Sequence, residues 1–362
     1  MKHLVLAAAA ALLAFAPNLR AQNPLLCSPA EPQECLNGVS ASATALNALR
    51  AGVTGANTLR EDEEVARRKQ ALLQPARVAT SGDLAGIAGA AGSGWGVWAS
   101  YGYSDYESKV AVAPYEADQN AFRVGVDKLL GRNWVVGVAL AWDDTDTTTR
   151  FNGGGQETDG WWVAPYVSWI ANDHVSVDLN GAWGNADNDQ FRIDPASAPG
   201  APLILRSSFD SDRQFWSLAV NGLHYAGPLT LGGRVGYLDA RETQDGYTEF
   251  GGPSVRTVRD RVVKLKQYFV EASAAFPFAA GWEAYVSGAW WRDSSRDDGG
   301  TAGGLPNAVG NITPDDRDEW QWRFGVRFFS RGGFTASAEY LNVSGREKFD
   351  LDALTLLARF DF

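Results

Sequence analysis

The chain has 362 residues, with 32 Lys and Arg against 43 Asp and Glu, a formal net charge of −11. A chain this acidic lacks the clustered basic surface that nucleic-acid binding requires, and its three His leave little room for a His-built metal site. Hydrophobic residues at 45% exclude a chain disordered throughout. Beyond the N-terminus no apolar run is long enough for a membrane helix, which leaves a crossing built from strands open.

Residues 1–21 read as a signal peptide. Lys2 and His3 open it, Leu4 to Ala16 form an apolar core, Pro17 breaks that core, and Ala21 precedes the expected cut. Cys27 and Cys35, the 2 cysteines of the chain, are expected to close one small disulfide loop in an exported protein. Residues 22–94 contain no aromatic residue: all 14 Trp and 11 Tyr lie from Trp95 onward. Such a segment can hardly build its own core. Within it, residues 61–74 predict a helix. Glu61, Asp62, Glu63 and Glu64 lead, Arg67, Arg68 and Lys69 follow, and Pro75 stops it, an order that suits the helix dipole. A thin Gly/Ala-rich approach follows at 80–94.

From residue 95 the apolar residues alternate, and the period predicts twelve strands. They fall at about 95–104, 119–129, 134–144, 160–170, 175–185, 213–225, 229–239, 265–277, 282–292, 319–329, 334–343 and 351–362. Val136, Val138, Leu140 and Trp142 mark one face of the third, and Trp320, Trp322, Phe324, Val326 and Phe328 one face of the tenth. Connections alternate between tight (130–133, 171–174, 226–228, 278–281, 331–333) and long and polar (105–118, 145–159, 186–212, 240–264, 293–318), with 344–350 the short member of the second set. Trp residues stand near many strand ends. Together these features predict an all-β membrane protein, a 12-stranded antiparallel transmembrane β-barrel with a short, partly helical N-terminal segment. A secreted β-sandwich would share the alternation but not the tryptophans at the ends or the regular loop rhythm. The last strand ends on Phe360 and Phe362, which resembles the C-terminal signal read by the machinery that assembles outer-membrane barrels.

The stretches GWGVWASYGYSDYE, NAFRVGVDKLLGRNWVVGVALAW and VAPYVSW, followed by a barrel ending in Phe, resemble the translocator domain of type V autotransporters. The resemblance implies a Gram-negative outer-membrane location. It implies outer-membrane lipid and lipopolysaccharide, the assembly machinery and periplasmic chaperones as partners. It also implies a monomeric barrel without cofactor and a lumen occupied by the chain just ahead of the barrel. Inward charges at Arg123, Asp178, Arg234, Glu271, Arg323, Arg327, Glu339 and Arg359 are then expected to face that segment or water. The short segment before the barrel departs from the family's usual long passenger, so an anchor and pore are expected more than a delivered enzyme.

The rival classes are an outer-membrane lipid hydrolase, a passive pore and a surface adhesin. The hydrolase needs a His–Ser pair at the outer rim, whereas His174 and His224 fall on the tight-turn side. Acidic clusters at 143–146, 293–298 and 315–316 offer divalent-cation binding or plain solvated loops.

Overall fold

The computed structural model describes residues 94–109, 114–131, 133–194, 197–198, 200–253, 257–258, 260–297, 316–330 and 332–362. The expected signal peptide, the Cys27–Cys35 disulfide and the helix at 61–74 lie outside the described residues. So do residues 298–315 of the 293–318 connection.

Twelve antiparallel strands close into one barrel. They are β1 (Trp95–Ser108), β2 (Tyr115–Leu130), β3 (Trp134–Thr149), β4 (Gly154–Asn172), β5 (Val175–Ile193), β6 (Ile204–Ala226), β7 (Leu229–Gln244), β10 (Arg261–Ala279), β11 (Trp282–Asp297), β12 (Asp318–Phe329), β13 (Phe334–Arg346) and β14 (Phe349–Asp361). A two-stranded ribbon, β8 (Tyr247–Thr248) with β9 (Thr257–Val258), decorates the β7–β10 connection. Each barrel strand pairs with its sequence neighbours, and β1 pairs with β14 to close the seam. There Trp95 N–H donates to Phe362 O at 3.1 Å and Phe362 N–H to Trp95 O at 2.9 Å. Closure leaves no free edge. Tight turns on the rim shared with both barrel ends use glycine where the backbone must be left-handed, as at Gly131 (φ 65°) and Gly227 (φ 61°).

All twelve expected strands are present, but the long loops are a correction. Most of 105–118, 145–159, 186–212 and 240–264 is strand. The β3–β4 link is only residues 150–153, and β6 alone runs 23 residues. The cause lies in the side chains. Along β3, Val136, Val138, Leu140 and Trp142 point outward and are exposed, and the same face continues as Asp144, Asp146 and Thr148. The backbone ladder runs on without a break, because Thr145, Thr147 and Thr149 are β-branched and face inward, buried.

Two aromatic girdles fix the membrane level. The lower holds Trp134, Trp169 and Trp282, with the half-buried Phe328 beside Trp282, and the upper holds Trp142, Trp161, Trp183 and Trp216; all seven tryptophans are exposed. Trp142 lies eight positions beyond Trp134, or about 26 Å along the strand at ~3.3 Å per residue. At the 35–45° tilt of barrel strands that is a rise of roughly 20 Å, comparable to the apolar band of an outer-membrane barrel. Above the upper girdle the pattern inverts: apolar residues turn inward. Tyr106, Tyr115, Leu341, Val343, Phe349 and Leu351 form one buried cluster, and Phe215, Leu238, Val263 and Leu265 belong to another.

Candidate functional site: the lumen wall

Within the membrane level the inner face is polar, with Ser100, Ser168, Ser176, Asn180 and Ser217 all buried. Its charges are joined across strands. Arg359 on β14 grips Asp127 on β2 through Nη1 to Oδ2 and Nη2 to Oδ1, each 2.9 Å, and both side chains are 0% exposed. Its Nη2 also donates to Asp361 Oδ1 at 2.7 Å. The grip passes over β1 at Gly96, where a Cβ would stand 2.0 Å from Arg359 Nη2. Only glycine leaves that path open. Tyr166 OH donates to Asp127 Oδ2 at 2.8 Å, and Trp98 Nε1 donates to Tyr166 OH at 2.9 Å.

On the far wall Arg323 (β12) donates to Glu271 (β10) at 2.8 Å, crossing β11. Arg327 lies 3.6 Å from Glu283 and 3.7 Å from the centre of the Tyr285 ring. Tyr285 OH in turn donates to Glu339 Oε2 at 2.7 Å. Arg234 lies 4.9 Å over the Phe269 ring and stands opposite Glu271 in register. Asp178 accepts from Asn221 Nδ2 at 2.6 Å. Arg123 forms no ion pair among the described residues and reaches over Gly102. Four inward rings rest on a glycine of the next strand: Trp98 on Gly125, Tyr166 on Gly137, Phe269 on Gly236 and Tyr285 on Gly325. In each case a Cβ would come within 2.4 Å of ring atoms.

Above the membrane level the inward ion pairs continue. Arg213 donates to Asp143 at 2.9 Å and to Glu242 at 3.1 Å. Arg346 donates to Asp293 at 2.9 Å and to Glu319 at 2.6 Å, and Arg192 pairs with Glu249. Sequence reasoning did not single out Arg213, Arg346, Arg192 or the partner acids Asp127 and Glu283. Arg192 and Arg346 fell in stretches expected to be loops. Phe360 and Phe362 stack at 6.0 Å between ring centres on the closing strand. The rings of His174 and His224 are 6.4 Å apart, on the tight-turn rim.

In chemical terms the wall is polar and nearly charge-neutral. At the membrane level Arg123, Arg234, Arg323, Arg327 and Arg359 are matched by Asp127, Asp178, Glu271, Glu283 and Glu339, with Asp361 at the rim. Charges held by each other solvate a passing polar chain without binding it as free charges would.

A closed antiparallel barrel, apolar outside between aromatic girdles and polar within, is an outer-membrane barrel. The family model described as the autotransporter beta-domain matches residues 89–341, and the chain belongs to that family. It is an outer-membrane translocator barrel, and its place is the Gram-negative outer membrane, where barrels of this family are inserted by the assembly machinery. Among solved structures, the translocator domain of the autotransporter NalP from Neisseria meningitidis is similar with a TM-score of 0.62 at 12% identity, covering 83% of this chain and 98% of that one. The beta domain of the Bordetella autotransporter BrkA is similar with a TM-score of 0.58 at 14% identity, covering 74% of this chain and 100% of that one. No curated protein sequence matches the chain significantly.

Proposed function

We propose that this barrel anchors its own N-terminal segment, residues 22–94, and carries it across the outer membrane through the lumen. The observation that supports this reading is the entry point. The described chain begins at Gly94, whose carbonyl accepts from Leu129 N–H at 2.7 Å on the tight-turn rim. Gly94, the residue that joins the segment to the barrel, therefore lies at the periplasmic mouth of a polar, charge-matched lumen. Arg123 is the inward cation available to the acids of that segment, Glu61 to Glu64. The activity proposed is transport and anchoring without catalysis. Both histidines of the barrel sit at the periplasmic rim, away from the outer rim where a lipid hydrolase would work. Family membership favours translocation over a passive pore or an adhesin. Phe360 and Phe362 serve recognition by the assembly machinery in this proposal, and lipopolysaccharide is among the lipids around the barrel.

The test is protease digestion of intact cells carrying an epitope tag after Gln22. Cleavage of the tag with the barrel intact is the expected result. A tag that stays protected while extracellular connections are cut overturns surface delivery.

A further inference from the structure

Just above the upper girdle the outer surface of the barrel is divided by charge. On one side lies a single register row, Asp352, Asp105, Asp118, Asp146, Glu157 and Asp189, running from β14 through β1 to β5. Beside it runs a second row, Asp144, Asp159, Asp187 and Asp210. Neither row contains a cation. On the other side, at the same level, stand Arg241, Lys264, Lys266 and Arg292 on β7, β10 and β11. Lys266 is held by Asp239 at 3.0 Å and Arg292 by Asp318 at 3.3 Å. Arg241 and Lys264 are exposed, stand opposite each other, and form no ion pair among the described residues. Asp297 is the one further acid in register there.

Below these cations the rings of Trp216, Tyr237 and Tyr268 form a continuous shelf, with centres 5.2 and 5.0 Å apart. Aromatic belts mark the headgroup level, so the cations stand where lipid phosphates lie. Directly opposed residues on paired strands are about 5 Å apart at Cβ. An Arg and a Lys so placed converge on one phosphate, the Arg by two parallel N–H bonds and the Lys as a point charge.

We propose that the β7–β10–β11 sector binds the phosphate of an anionic outer-leaflet lipid directly, through Arg241 and Lys264 over the Trp216–Tyr237–Tyr268 shelf. Around β1 to β5 the two carboxylate rows repel the same headgroup. The barrel therefore carries an oriented lipid shell. The inference sharpens the lipid partnership proposed above and is independent of translocation.

Native mass spectrometry of the full-length protein in detergent tests it, with phosphatidylglycerol and phosphatidylcholine as probes. Expected is about tenfold preference for phosphatidylglycerol, lost in Arg241→Gln/Lys264→Gln, retained in Arg150→Gln, and unaffected by excess inorganic phosphate. Heat-modifiable migration shows that each variant is folded. Equal binding of both lipids overturns the sector while leaving the lipid placement standing. Binding of neither lipid overturns both. Retention in the double variant, loss in Arg150→Gln, or displacement by inorganic phosphate also overturns the proposal.

Discussion

The two halves of a single strand, β3, follow opposite rules. From Trp134 to Trp142 the exposed face is Val136, Val138 and Leu140, because the solvent there is hydrocarbon. From Asp144 to Thr148 the exposed face is acidic and hydroxylic, because the solvent is water. The backbone and register are continuous through the change, so the environment alone decides which residues may point outward. The same switch occurs on β7, where outward Tyr237 gives way to outward Asp239 and Arg241 while Leu238 and Ala240 are buried inside. It occurs on β10, where inward Leu265 and outward Tyr268 stand three residues apart. The barrel is inside-out within the membrane and conventionally folded above it.

Three tests probe this contrast, in falling order of effect. Arg359→Ala removes one partner of a fully buried pair within the membrane level. It is expected to cost about 3–5 kcal/mol, because Asp127 is left charged without its cation. Removing Asp127 as well should recover much of the loss. Urea unfolding of the barrel in detergent or lipid measures both, and a double variant as unstable as the single one would contradict a coupled pair.

On β3, Val138→Lys lies midway between the girdles and should cost about 2–4 kcal/mol. Thr148→Lys, on the same face above the girdle, should fall within about 0.5 kcal/mol of the parent. The same assay in lipid vesicles compares them. Equal costs would mean that the girdles do not mark the membrane boundary.

The smallest effect concerns pH. The carboxyl groups of Asp105 and Asp144, both above the girdle, are raised from the ordinary value, first by burial and then by neighbouring acids: Asp118 and Asp352 for the former, Asp146 and Asp159 for the latter. A raised folded-state pKa contributes stability that is full below the unfolded value of about 3.9 and is lost as pH rises through the folded value. Asp144→Asn should therefore raise the unfolding midpoint at pH 7, and the gain should vanish toward pH 3. A gain that persists at pH 3 would point to packing instead of charge.

Much of the fold was legible in the sequence because the membrane-level alternation is strong. Trp134 through Trp142 and Trp282 through Trp290 read as strands on their own. The upper extensions were missed for one reason. Where hydrocarbon gives way to water the alternation shifts phase, as between Tyr103 and Tyr106 or between Leu265 and Tyr268, and a phase shift looks like a strand end. The lumen was half legible. In-phase charges such as Arg323, Glu271 and Arg327 were visible as inward positions, but which of them pair with which was not. Arg323 meets Glu271 across an intervening strand, and Arg359 meets Asp127 at a sequence separation of 232. Such pairing depends on register and closure, which one strand's pattern does not contain.

The grip of Arg359 on Asp127 across Gly96 has a consequence for register. Asp127 lies on the second strand of the barrel and its cation on the last, so the pair exists only in the closed ring. A seam slipped by two residues would keep both side chains facing inward but carry Arg359 about 7 Å along its strand, away from its carboxylate. The seam thus holds its own register lock, and the ring that satisfies it is the one closed between Trp95 and Phe362.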